Sequence, residues 1–120
     1  MFLHTLRVFF QGAYKKPREL NWIVGVLIFM VMLALGLTGY LLPWDMKALF
    51  ATKVTLDIAQ STPLIGDMLK TLIAGDQHII GAETLTRFFA IHVFFLPAAL
   101  LLLIGLHFIM IRKQGISGPL

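Results

Sequence analysis

The sequence predicts an all-α transmembrane fold, and two observations support this prediction. Of the 120 residues, 58% are hydrophobic and 13% are charged, a composition too apolar for a soluble domain of this length. Segments 20–44 and 88–111 contain no Asp, Glu, Lys or Arg. Each is longer than the roughly 20 apolar residues that a helix needs to cross a bilayer. We therefore predict an integral membrane protein with two complete transmembrane helices.

The distribution of charge predicts the orientation of these helices. The segments outside the two spans at the chain ends carry a net charge of +5, whereas the loop between the spans carries −1. By the positive-inside rule, both chain termini are expected on the cytoplasmic, negative side of the membrane. The net charge of +4 is thus attributed to topology, and nucleic acid is not expected as a partner. Membrane lipid is. The chain contains no cysteine, so it offers no basis for a disulfide framework or a thiolate metal site.

The pattern along the chain divides it into six segments. Residues 1–12 are expected to end a transmembrane helix, and 13–19 to form a turn on the cytoplasmic side around Pro17. The first complete span is 20–44, with aromatic residues near both ends and Pro43 as its stop. The positive-side loop covers 45–84, the second complete span 85–113 and a C-terminal tail 114–120.

The loop 45–84 is long for a connection between helices and is predicted to contain structure of its own. In STPLIGDMLKTLIAGD, apolar residues recur at helical spacing, with Pro63 placed in the first turn and Gly75 as the stop. This pattern indicates an amphipathic helix on the membrane surface or over a pocket. DMKALFATKV is predicted to add another turn or two.

His92 and His107 are the only ionisable residues between Phe88 and Ile111, the charge-free part of the second span. A polar ring in hydrocarbon is costly unless it has a partner, so such residues indicate a functional site. In a regular α-helix, fifteen positions place the two rings about 22 Å apart along the axis and about 60° apart around it. One ring is therefore expected near each side of the membrane, and the two cannot share a metal ion.

His4 is expected at the same depth as His107, because each precedes an arginine at the cytoplasmic end of its helix. Two neutral imidazoles facing each other in apolar surroundings form a bis-histidine haem site, with the arginines pairing with the propionates. The alternative is that the rings are structural hydrogen bonders. His78, beside Gln77 and Asp76 in the polar loop, is expected to be solvated.

Two glycines of the first span support a haem interpretation. Gly25 and Gly39 lie about 21 Å apart along a helix and about 40° apart around it, at two levels where a flat ligand could press on the backbone. The alternative is that small residues let another helix approach. His92 has no partner at its depth, so the chain is expected to lack an upstream segment with another histidine.

Several stretches resemble one known family: LHTLRVFFQGAYKKPRELNWIVGV, GLTGYLLPWDMKA, TPLIGDMLKTLIAG, TLTRFFAIHVFFLP and LHFIMIRKQGISGPL. The chain is similar to the cytochrome b6 subunit of cytochrome b6f complexes and its bacterial counterparts, within the cytochrome b family of quinol oxidoreductases. The resemblance implies part of a haem-binding four-helix bundle: the end of the second helix, the third helix, the surface loop helices and the fourth helix. The first helix, most of the second, the ligand opposite His92 and the attachment residue of an additional haem are not matched.

The resemblance also implies residue roles. His4 and His107 would bind the high-potential haem b on the negative side, and His92 the low-potential haem b on the positive side. The further haem-site candidates are Arg7, Gly25, Gly39 and Arg87. The candidates for quinone sites are Pro43, Trp44, Pro63, Ile65, Gly66 and Arg112. Each arginine could equally be a snorkelling interfacial charge.

The implied function is electron transfer in a membrane quinol oxidoreductase that passes electrons from quinol to a cytochrome c or plastocyanin-type acceptor. Expected partners are a Rieske iron–sulfur protein, a cytochrome c, c1 or f-type subunit, and a separate subunit IV with the PEWY motif, in a homodimeric complex. A bacterial plasma membrane or a thylakoid-type membrane would house it. The alternatives are a structural membrane subunit without haem and a dihaem membrane anchor of a dehydrogenase.

Overall fold

The computed structural model describes residues 1–75 and 80–118, and all regular structure within them is helical. In chain order the elements are α1 (Phe2–Phe10), α2 (Glu19–Leu41), α3 (Met46–Gln60), α4 (Gly66–Ala74), α5 (Ala82–Ala90), a π-helical turn (Ile91–Phe95) and α6 (Leu96–Gln114). The predicted all-α class is therefore confirmed for the described residues. His78 lies outside them.

Within residues 1–75 and 80–118, two helical segments are long and apolar enough to cross a membrane: Glu19–Leu41, with 23 residues, and the continuous stretch Ala82–Gln114, with 33. A core helix of a soluble protein would be mostly buried. Here only 11% of the most apolar window of the first segment is buried, and 0% of that of the second. Surfaces this apolar and this exposed are expected to contact lipid or other membrane helices.

Met1–Leu33 and Pro97–Leu120 form one compact unit. In its turn between α1 and α2, the Tyr14 ring lies between two aromatic neighbours. Its centroid is 5.9 Å from that of Phe9, in a stacked arrangement, and 5.6 Å from that of Trp22. Gly12 has a φ of 63°, and the Lys16–Pro17 peptide bond is cis. The aromatic contacts fix the direction in which the chain enters α2.

Arg18 joins this turn to the C-terminal segment. Its Nε donates to the carbonyl oxygen of Gly115 at 3.1 Å, and its Nη2 donates to that of Ile116 at 3.1 Å. These carbonyl groups directly follow the end of α6, where the backbone has no helical partners left. The guanidinium therefore holds the tail against the turn that precedes α2.

Ala34–Leu96 form the second unit. Its α3 begins at Asp45, whose Oδ1 accepts a hydrogen bond from the Ala48 N–H at 2.8 Å, an N-terminal cap. Ala48, Thr52 and Leu56, spaced by four, form the buried face. The sequence predicted only a turn or two here, whereas the helix has 15 residues. The weak amphipathic pattern of α3 does not reveal the full length of the helix.

The predicted amphipathic helix is present as α4, and Gly75, with a φ of 89°, ends it as expected. The prediction that Pro63 lies in the first helical turn is wrong, because α4 begins at Gly66. A Cβ at Gly66 would collide with the carbonyl oxygen of Gln60, so only glycine allows α3 and α4 to approach here. The Gln60 amide bonds Asp67 at 2.9 Å and Lys70 at 2.7 Å, which links the two helices.

A π-helical turn interrupts the helical stretch that follows α5. Leu96 N–H bonds the carbonyl oxygen of Ile91, five residues earlier. Pro97 comes next. Proline has no N–H to donate, and its ring crowds the carbonyl four residues earlier, so a wider turn before it relieves the conflict. The assumption of 100° for every residue between His92 and His107 is therefore wrong across this turn.

Candidate functional site

The structure brings His4 of α1 and His107 of α6 together. Their ring centroids are 6.5 Å apart, and the ring planes are inclined at 86°. A metal–imidazole nitrogen bond is about 2 Å and a ring nitrogen lies about 1 Å from its ring centre, so imidazoles on opposite sides of one metal have centres about 6 Å apart. The spacing of His4 and His107 thus leaves room for one metal atom between the rings.

A cavity of about 710 Å³ adjoins these rings. This volume lies within the range of about 300–1,000 Å³ that is usual for cofactor sites. Most of its lining is apolar or aromatic, including Val8, Trp22, Val26, Ile28, Ile104, Phe108 and Ile111. Arg7 and Arg18 are its cationic lining residues in the part of the chain that the structure describes. The cavity therefore suits a large, flat, apolar group that carries anionic substituents.

Asn21 lies beside both this cavity and the His107 ring, and its side-chain Oδ1 is buried without a hydrogen-bond partner among the described residues. Buried polar groups normally have partners, so orphaned ones indicate a ligand or an ordered water. Gly25 lies against the same ring, because a Cβ there would be 3.4 Å from His107 Cε1 and 3.9 Å from its Nδ1. The sequence predicted a flat ligand against Gly25, which stays a prediction; the structure places the His107 ring there.

Two lining residues, Arg18 and Asn21, were not among the candidates from sequence. Arg18 was counted only as a topological charge. Asn21 precedes Gly25 by four residues and therefore lies on the same face of α2. A polar amide at that spacing in an apolar helix is the signal that could have identified it. Arg112, a candidate for the negative-side quinone site, is exposed in the last turn of α6 and is not a lining residue of the cavity.

His92 lies in the π-helical turn, against the last part of α2. Its Nδ1 is 2.9 Å from Thr38 Oγ1. A Cβ at Gly39 would be 2.8 Å from His92 Cε1, closer than real Cβ atoms approach their neighbours. Residues 34–75 and 80–96, the described part of this unit, contain no other histidine. The ring is thus positioned by two adjacent residues of α2. The flat ligand that the sequence predicted against Gly39 stays a prediction.

No group of three or more His, Cys, Asp or Glu side chains within 1–75 and 80–118 could hold a metal ion. A haem does not require one, since the porphyrin supplies four ligands and the protein only the axial pair. The two facing imidazoles, the apolar cavity and the lining arginines therefore fit a haem.

Arg87 of α5 is bonded to α4. Its Nη1 donates to the carbonyl oxygens of Leu72 at 2.7 Å and Thr71 at 3.3 Å, and its Nη2 pairs with Glu83 at 2.8 Å. These carbonyls lie in the last turn of α4, where helical partners run out and a cation is favourable. Arg87 also lines a second cavity of about 450 Å³ with Asp67, Met68, Thr71 and Leu72. In this structure Arg87 holds the C-terminal end of α4.

Replacing Arg87 with methionine is expected to loosen α4. A hydrogen bond from a charged donor contributes about 1.5 kcal/mol, so the amides of 66–74 should exchange hydrogen about tenfold faster. Hydrogen–deuterium exchange on the assembled complex measures this. Glu83→Gln is the matched control: it removes only an exposed ion pair, which contributes about 0.5 kcal/mol, so the change should stay near twofold. Equal effects of the two variants would contradict the assigned role.

The remaining quinone-site candidates lie in turns. Pro43 and Trp44 follow the end of α2, where Trp44 has a φ of 55°. Pro63 and Ile65 lie in the turn between α3 and α4, and Gly66 begins α4. Leu64, between them, has a φ of 70° and a fully exposed side chain. Positive φ at a residue other than glycine costs free energy and is found more often at functional sites.

Comparison with known proteins gives concordant results. The sequence model of the family described as cytochrome b(N-terminal)/b6/petB matches residues 1–120. The chain is 82% identical to the menaquinol:cytochrome c reductase cytochrome b subunit of Bacillus subtilis and 80% identical to that of Geobacillus thermodenitrificans. It is 49% identical to cytochrome b6 of Synechocystis. Each match covers 100% of this chain and 54% of the relative, so the chain spans about half the length of these curated relatives.

Proposed function

The chain belongs to the cytochrome b(N-terminal)/b6 family of integral membrane proteins, and we propose that it forms part of the dihaem cytochrome b subunit of a quinol:cytochrome c oxidoreductase. Its helices would belong to a four-helix bundle: α1 as the end of the second helix, α2 as the third, and the stretch Ala82–Gln114 as the fourth. α3 and α4 would be the surface helices of the loop. Because the chain belongs to this family, we also propose the six segment boundaries that the sequence predicts.

The single observation that carries this proposal is the facing pair His4 and His107, with ring centroids 6.5 Å apart beside an apolar cavity. A bound haem b would supply reversible one-electron oxidation and reduction there. The chain's own residues would do the rest. His4 and His107 would hold the group, Gly25 would leave space beside the His107 ring, and Arg7 and Arg18 would pair with anionic propionates.

We propose a second haem b at His92, beside Gly39. Residues 34–75 and 80–96 contain no further histidine, so the second ligand would come from a residue outside these ranges. Because Arg87 bonds the carbonyl groups of α4, its proposed contribution to this site is indirect. Arg87 would fix the surface helix that covers the site on the positive side.

The proposed activity moves electrons from quinol oxidised on the positive side to quinone reduced on the negative side. Moving one charge against a potential of about 100 mV requires about 2.3 kcal/mol, so electron transfer between sites on opposite sides conserves energy. Pro43, Trp44, Pro63, Ile65 and Gly66 are proposed for the positive-side quinol site, and Arg112 for the negative-side quinone site. An additional haem is a further possible cofactor of the negative side.

Orientation and partners follow from the same assignment. The excess of Lys and Arg at the chain ends supports placing both termini on the negative side. The names of the two relatives at 82% and 80% identity support menaquinol as the donor and a cytochrome c as the acceptor. The proposed partners are a Rieske iron–sulfur protein, a cytochrome c, c1 or f-type subunit and a subunit IV with the PEWY motif, in a homodimeric complex.

Reduced-minus-oxidised spectra of the complex purified from membranes test this function. We expect two b-type haems per copy of the subunit, and a Rieske protein that co-purifies. Complete absence of b-type haem would show that the chain is a structural subunit and would overturn the proposal. Two haems with dehydrogenase subunits in place of a Rieske protein would identify a dehydrogenase anchor instead.

A further inference from the structure

Thr38 and His92 form one of the few side-chain contacts made inside the apolar part of this protein. His92 Nδ1 lies 2.9 Å from Thr38 Oγ1, and only 7% of Thr38 is exposed. The contact joins the last turns of α2 to the π-helical turn. In an apolar environment a contact of this kind strongly restricts the ring that takes part in it.

The other bonds of Thr38 determine which atom donates the proton. Thr38 Oγ1 is also 2.8 Å from the carbonyl oxygen of Ala34 and 3.3 Å from that of Leu35. Carbonyl oxygens only accept, and a hydroxyl has one hydrogen and two lone pairs. The hydroxyl hydrogen therefore goes to the backbone, as is common for threonine within helices. His92 Nδ1 must then donate to the remaining lone pair of Oγ1.

The proton on Nδ1 leaves the lone pair of a neutral imidazole on Nε2. We propose that Thr38 is a positioning residue that holds His92 in this tautomer, so that Nε2 binds the iron of the positive-side haem. This inference rests on the proposed function, because it presumes a haem at His92. It adds a residue that neither the motifs nor the haem assignment itself identified.

The same hydrogen bond would also tune the reduction potential of the positive-side haem. An Nδ1–H that donates to an oxygen makes the imidazole a stronger electron donor, which stabilises the more positive, oxidised iron. Thr38 would thus lower the reduction potential at His92 relative to a site without this hydrogen bond.

Thr38→Val tests this inference in the assembled complex, because valine keeps the branched shape of threonine and removes the hydroxyl. We expect the midpoint potential of the positive-side haem to rise and its retention on dilution to fall about tenfold or more. The haem at His4 and His107 serves as the internal reference and should keep its potential. Thr38→Ser is the matched control, since it retains the hydroxyl and should remain close to the wild type.

Several results would overturn the inference. One is an unchanged potential and haem retention in Thr38→Val, and another is an equal shift in Thr38→Ser. If Thr38→Val does not assemble, solid-state ¹⁵N NMR of the histidine-labelled wild-type complex in the reduced state can identify which nitrogen of His92 binds the iron. Binding through Nδ1 would refute the assignment. Absence of the positive-side haem from the wild type would instead defeat the proposed function, so the two failures can be told apart.

Discussion

Replacing either His4 or His107 with leucine is expected to remove about half of the b-type haem from the complex, because one of the two proposed haems would lose an axial ligand. The ring centroids are 6.5 Å apart, and the only other histidine among residues 1–75 and 80–118 is His92. The haem at His92 should remain. Haem counts and redox titration of the purified complex measure both effects.

The double variant His4→Leu/His107→Leu provides a sharper result than either single one. If the two rings hold one iron, the second substitution removes nothing that the first left functional, so the double variant should match the singles. Ile109→Ala is the control on α6: this side chain is 55% exposed and does not line the cavity. Full retention of haem in both single variants would contradict the assignment, as would a further loss in the double variant.

The closeness of His4 and His107 could be predicted from sequence because each position is counted from the cytoplasmic end of its own helix. Each ring lies a few residues from an arginine at the cytoplasmic end of its helix, and errors over so short a distance are small. The all-α class and the two spans could also be predicted from sequence, because uncharged segments of this length have few other interpretations.

Other parts of the site could not be predicted from composition or spacing. Threonine is tolerated in apolar helices because its hydroxyl bonds the preceding turn, so Thr38 gives no signal until its third partner is seen. The π-helical turn depends on how the backbone resolves a conflict with Pro97, which periodicity does not reveal. From the sequence, Arg18 is only a topological charge and Arg87 a haem-site candidate, yet Arg18 donates to a carbonyl group that follows α6 and Arg87 to one at the end of α4.

Gly39→Ala is expected to disturb the positive-side haem, whereas Gly36→Ala, one turn earlier in α2, is expected to have almost no effect. A Cβ at Gly39 would lie 2.8 Å from His92 Cε1 and 3.4 Å from its Nε2. A Cβ at Gly36 would have no neighbour within 4 Å. Alanine favours a helix over glycine by about 1 kcal/mol at either position, so a loss specific to Gly39 must come from the clash.

The clash matters because the His92 ring is not free to move aside. Displacing it would break the 2.9 Å hydrogen bond with Thr38, and overpacking of this kind costs about 1–3 kcal/mol. Retention of the positive-side haem should therefore fall roughly 5- to 150-fold in Gly39→Ala, while the haem at His4 and His107 stays bound. Gly25→Ala is an intermediate case. Its Cβ would lie 3.4 Å from the His107 ring, so only a small loss of the negative-side haem is expected. Identical haem content and potentials in Gly39→Ala and Gly36→Ala would show that the His92 ring is not held where the structure places it.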